Sequence, residues 1–238
     1  MNANPFGSIF VALFVALFGT ASIASVGETV RWQSWDATSA TGTLGEITIS
    51  AATNAEAAFV GFANNHFAVF DGDCGEWDGT MGMGLSHDDM GLVTSYVNGG
   101  DSQEFTFSSP LTDGFFFLEN FDSGSKAMMT VTGATSITVL DKSKNFSYEV
   151  VGENMVNLST SNTGYDGEGD AKFLLGGDVT AVSIDFKAGE GANGILYTFA
   201  KQMEPNPVPE PTSLIVMAGL FGMGGLVAYR RRKTQQQI

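Results

Sequence analysis

A single cysteine, Cys74, rules out any disulfide within the chain, so the fold rests on its apolar core. Histidine is almost as scarce. His66 and His87 are the only two, and with Cys74 and Asp88 or Asp89 they offer no closely spaced ligand pair of the kind that builds a zinc site. Catalytic signatures are also missing. There is no G-x-S-x-G turn, and Ser86-His87-Asp88 sets three triad residue types side by side, whereas a working triad is assembled from separate loops. Cations are few as well: 11 Lys and Arg stand against 26 Asp and Glu, a net charge of −15. Of those cations, Arg230, Arg231, Arg232 and Lys233 sit together near the end, so the stretch before them is more acidic still. Such a body repels nucleic acid and anionic polysaccharide. No window of helical period rivals the strand pattern.

What the chain does contain is alternation. Glu46-Ile47-Thr48-Ile49-Ser50, Glu104-Phe105-Thr106-Phe107-Ser108, Ser136-Ile137-Thr138-Val139, Val182-Ser183-Ile184-Asp185-Phe186 and Ile195-Leu196-Tyr197-Thr198-Phe199 each place an apolar set on one face. Shorter runs at 57–62, 67–70, 92–97, 115–118, 127–131, 146–151 and 171–175 add to them, punctuated by Gly, Asn, Asp and Ser. This spacing predicts an all-β fold, an antiparallel two-sheet sandwich of jelly-roll-like topology over residues 25–203. Phe115-Phe116-Phe117-Leu118 lacks alternation, which predicts a central strand covered on both faces.

The two ends are apolar. Ile9 to Phe18 is an unbroken run followed by small residues through Ala24, the pattern of a signal peptide over 1–24 cut between Ala24 and Ser25, although its start carries no Lys or Arg. At the other end, four of the six prolines, Pro205, Pro207, Pro209 and Pro211, make 204–211 a semi-rigid linker. Residues 212–229 follow without a charge. As a helix they would extend about 27 Å, close to the hydrocarbon thickness of a bilayer. The basic tail 230–238 would then hold the cytoplasmic side and place the body outside the cytoplasm.

Val208-Pro209-Glu210-Pro211, the apolar span and the stop of Arg230, Arg231, Arg232 and Lys233 together resemble the PEP-CTERM sorting signal of Gram-negative bacteria, also known as the ice-binding protein C-terminal domain. The resemblance implies recognition by an exosortase-type membrane protease. It would cleave near the motif and leave the body at the cell surface or released. The segment from Phe105 to Asp122 is similar to ectodomains that accompany this tail: a strand, a proline turn and a second strand ending in Asn-x-Asp. That pattern carries no assigned chemistry.

Within the body, Asp71, Asp73, Glu76 and Asp78 fall in one Gly-rich stretch, and Asp166, Glu168 and Asp170 in another. Clustered carboxylates on tight turns are the material of Ca2+ sites, which take about six to eight oxygens, but neither stretch follows the EF-hand spacing. Gly189-Glu190-Gly191-Ala192-Asn193-Gly194 matches G-x-G-x-x-G, yet it lies between two strands and so reads as a hairpin connection. Trp32, Trp35 and Trp77, with Tyr96, Tyr165 and Tyr197, could stack on sugar rings if several share a surface. Trp32 and Trp35 lie three apart, so on a strand at least one faces the core. Two functions are consistent with these features. One is a non-catalytic surface or matrix module that binds exopolysaccharide or Ca2+. The other is an exported glycosidase-like hydrolase, which would need two carboxylates facing across a cleft about 5 to 10 Å apart.

Overall fold

In the computed structural model the described residues are 26–55, 59–64, 90–94, 97–161, 169–188 and 194–203, all within one unit, Ile23–Met203. Everything described is strand, turn or loop, with no helix among these residues. The strands are β1 (Val26–Thr29), β2 (Arg31–Trp35), β3 (Ser39–Leu44), β4 (Ile47–Thr53), β5 (Phe59–Asn64), β6 (Met90–Thr94), β7 (Ser102–Phe121), β8 (Lys126–Lys142), β9 (Phe146–Val150), β10 (Met155–Thr160), β11 (Gly169–Ala188) and β12 (Leu196–Gln202). Every described pairing is antiparallel. The all-β, antiparallel character follows from the sequence pattern, in which Val, Ile, Thr and Phe recur at a period of two. The signal segment, the linker, the apolar span and the basic tail lie outside the described residues.

The strands form a single hydrogen-bonded sheet in the order β2-β3-β4-β7-β11-β8-β10-β9, with β12 also on β7 and flanked in turn by β1 and β6. Three long strands organise it. β11 pairs with β7 on one side and with β8 on the other along nearly its whole length. The free edge of β7 is shared. Its first half takes β4, through Ile49 opposite Phe107 and Ala51 opposite Phe105, and its second half takes β12, through Phe199 opposite Phe116 and Tyr197 opposite Leu118.

Between the two halves the register slips on all three strands. The ladder of β11 with β7 breaks between Leu175 and Asp178 and again between Val179 and Ala181, and its ladder with β8 breaks from Gly176 to Ala181. Pro110 falls in the resulting unpaired interval of β7, where its missing N–H costs no ladder bond. Asp113 (φ 45), Gly133 (φ 87) and Gly177 (φ 101) adopt left-handed backbone along the same line. A Cβ on Gly133 would run into the Asp178 carbonyl oxygen. Side chains then lock the line: Asp113 Oδ1 accepts from Gly177 N at 3.0 Å, and Thr112 Oγ1 donates to Asp178 Oδ1 at 2.7 Å.

The slips allow the sheet to bend back on itself. Phe105 and Phe116 are neighbours in space, with ring centroids 6.4 Å apart, although eleven residues of straight strand would separate them by about 36 Å. Phe105 also meets Tyr197 at 5.3 Å and Phe199 at 5.2 Å, and Phe121 of one half meets Phe186 of the other at 6.1 Å. Leu44, Ile49, Val131, Leu158, Phe173, Val182 and Ile184 complete this main core.

Two expectations need correction here. Runs 105–108 and 115–118, 127–131 and 136–139, and 171–175 and 182–186 are not six strands but halves of β7, β8 and β11, so no proline turn divides β7. The alternation stops at each bulge although the strand goes on. The 189–194 stretch does not close a hairpin either, because β11 and β12 lie on opposite sides of β7.

Candidate functional site

One side of the bent sheet, facing away from the main core, carries both regions of chemical interest. In the first half this side is open to solvent. Ser34 lies opposite Thr41, Thr41 opposite Ser50 and Ser50 opposite Thr106, so four hydroxyls form a row across β2, β3, β4 and β7, one about every 4.8 Å. All four residues are exposed. A parallel row holds Thr43 opposite Thr48, and Ser108 Oγ accepts the Thr48 N–H at 2.8 Å. Ser34 Oγ and Thr41 Oγ1 share a hydrogen bond of 2.6 Å, and Gln33 Nε2 donates to Thr43 Oγ1 at 3.1 Å. These contacts order the face.

Trp35, which ends β2 and is 48% exposed, lies opposite Ala40 on the core side of the sheet, so its indole is on the other face from this row. The turn after it is fixed by Asp36. Asp36 Oδ1 accepts from Thr38 N at 2.9 Å and Ser39 N at 2.7 Å, and Oδ2 from Ser39 Oγ at 2.8 Å. Those donors, led by the Thr38 N–H, hold the Asp36 carboxyl below its ordinary range. A flat, exposed array of ordered hydroxyls is chemistry suited to a neutral sugar. Its hydroxyls and those of the row exchange hydrogen bonds.

In the second half the same side is buried. Asp141 lies opposite Lys172, Lys172 opposite Phe117 and Phe117 opposite Thr198, giving a row across β8, β11, β7 and β12. Their exposures are 5%, 3%, 0% and 0%. Phe115, Leu196 and Ala200 pack around the row as a second, smaller core. The Lys172 ammonium lies 5.2 Å from the Phe115 ring centroid and 5.7 Å from that of Phe117. Burial lowers the pKa of this ammonium, and the nearby Asp141 charge opposes the shift. Glu119 and Asp170 are buried too.

Of the residues singled out in the sequence, only some are described. Trp32 is in the core, 3% exposed and 6.4 Å from the Phe105 ring, and Tyr197 is wholly buried. Neither can stack on a surface ligand, which corrects the expectation of a shared aromatic platform. The Trp32 side chain points inward because its strand neighbours on that face are core residues. Burial also raises the Tyr197 phenol pKa. Asp170 is fully buried, with Oδ1 accepting the Asn120 N–H at 2.9 Å, while its backbone exchanges hydrogen bonds with Ser143. It therefore serves the sheet rather than an acidic surface loop. Among the described residues no three His, Cys, Asp or Glu side chains converge on a metal position. Asp71, Asp73, Glu76, Trp77, Asp78, Asp166 and Glu168 lie outside the described residues, as do both histidines, Cys74, Tyr96 and Tyr165.

Sequence reasoning missed both rows. Thr48, Ser50, Thr106 and Ser108 are visible as the polar partners of Ile49, Phe105 and Phe107, but which hydroxyl faces which depends on register set across long loops. Lys172 is a lone cation between Ala171 and Phe173, a signal that was available. Compared with protein-family models, with curated proteins and with solved structures, the chain matches none.

Proposed function

We propose that this chain is an exported cell-surface or extracellular-matrix protein whose non-catalytic β-sandwich holds a neutral exopolysaccharide on the hydroxyl rows of β2, β3, β4 and β7. The jelly-roll-like sandwich of this reading is one sheet folded over its aromatic core. The observation that carries the binding role is the exposed in-register row Ser34–Thr41–Ser50–Thr106. The acidic balance of the body favours uncharged glycans over anionic ones. Export rests on the 1–24 signal pattern, and sorting by an exosortase-type protease on Val208-Pro209-Glu210-Pro211 with its span and basic stop.

Affinity electrophoresis in gels carrying neutral or anionic polysaccharide tests the binding role. Retardation by a neutral polymer, weakened in Thr106→Ala and lost when Thr41, Ser50 and Thr106 are all replaced by alanine, is the expected result. Equal mobility in all gels ends the proposal. For sorting, replacing Pro209, Glu210 and Pro211 with alanine should leave a membrane-bound precursor, and unchanged processing in that variant would defeat this part independently.

A further inference from the structure

Lys172 and Asp141 present a chemical problem that ordinary packing leaves unsolved. Both are almost fully buried and directly opposite one another on β11 and β8. Asp141 Oδ1 accepts the Lys142 N–H at 2.9 Å, whereas Oδ2 is buried without a hydrogen-bond partner. A cation and an anion withdrawn from water, with one oxygen unsatisfied, form a poorly compensated pair.

We propose that Asp141 and Lys172 condense into an intrachain amide that staples β8 to β11. The lysine first passes a proton to the carboxylate, giving a neutral amine and a neutral acid. The Nζ lone pair then attacks Cγ, the Cγ–Oδ2 bond breaks, and Oδ2 departs as water with the two protons that Nζ has given up. No oxidant, cofactor or activating group enters the balance. Desolvation, which favours the neutral amine, supports the first step. In the structure the ammonium leans over Phe115 and Phe117, so the reaction begins with Lys172 swinging back toward β8. Directly opposite residues have Cβ atoms about 5 Å apart, which a lysine side chain spans.

The product resolves what the reactants leave open. The oxygen without a partner is the one expelled, Oδ1 keeps its bond from Lys142, and two buried charges disappear. The link would enclose β9 and β10 in a covalent loop, in a chain whose single cysteine cannot supply a disulfide.

The full chain, purified folded and shown to unfold cooperatively by circular dichroism, is denatured, digested with trypsin and analysed by mass spectrometry. The expected species is one branched peptide joining the segments around Asp141 and Lys172, lighter by one water than the two separate peptides and uncut after Lys172. Lys172→Arg, which keeps the charge, and Asp141→Ala should each give only linear peptides. Linear, unmodified peptides from the folded native sequence overturn the proposal. So does a branched peptide that persists in Asp141→Ala.

Discussion

The outward side of β7 is a single strand face in two environments. Glu104, Thr106 and Ser108 in its first half are exposed, whereas Phe115, Phe117 and Glu119 in its second half are buried. The inward side is the same throughout, with Phe105, Phe107, Phe116 and Leu118 all in the main core. Alternation thus fixes which residues share a face, and side-chain chemistry records whether that face meets water. The difference also separates the roles proposed here. Hydroxyls can engage a ligand only where solvent reaches them, and a lysine and an aspartate can condense only where it does not.

The sharpest way to break the comparison is to attack what both halves share. Phe116→Ala empties a site where Phe105, Phe173, Tyr197 and Phe199 converge, and should cost about 3–5 kcal/mol in denaturant unfolding. Next comes the line dividing the halves. Gly133→Ala forces a Cβ into left-handed backbone against the Asp178 carbonyl, with an expected loss of about 1–3 kcal/mol in the same assay. Thr198→Val probes the buried half. Its Oγ1 is buried without a hydrogen-bond partner, so removing it should be neutral or stabilise by up to about 1 kcal/mol. Thr106→Ala on the open half should change stability by no more than about 0.5 kcal/mol. A large loss there would mean that the face is structural.

The smallest effect concerns acid. Because the Asp36 carboxyl has a lowered folded-state pKa, its contribution to stability is present above the unfolded pKa and is lost as pH falls through the folded one. Asp36→Asn should therefore flatten the acid limb of melting temperature against pH, with little change near neutrality.

The strand content, the antiparallel pairing and the double burial of Phe115 to Leu118 could be read from residue order, because each rests on local alternation. The lengths of β7, β8 and β11 could not. At Pro110, Gly133 and Gly176-Gly177 the period-two signal fails and the residues spell a turn, yet tertiary pairing on both sides of β11 carries the strands through. The spacing of Trp32 and Trp35 placed them on opposite faces, but a register shift between Trp32 and Ser34 turns both to the core side, with Trp35 at the exposed strand end. The hydroxyl row and the Asp141–Lys172 pairing depend on register between strands far apart in sequence, which local pattern does not encode.

The first and last described strands are neighbours. Val26 lies opposite Gln202, and the Val30 N–H donates to the Phe199 carbonyl at 2.8 Å. β12 also completes the edges of β6 and of the second half of β7. A chain stopped short of Leu196 would leave β1, β6 and the second half of β7 without this partner, so those three ladders can close only after β12 has been made. That delay lengthens the time spent unfolded, since the loop to be closed spans nearly the whole body. It also means that losing β12 would strip a partner from three strands at once rather than trim one edge.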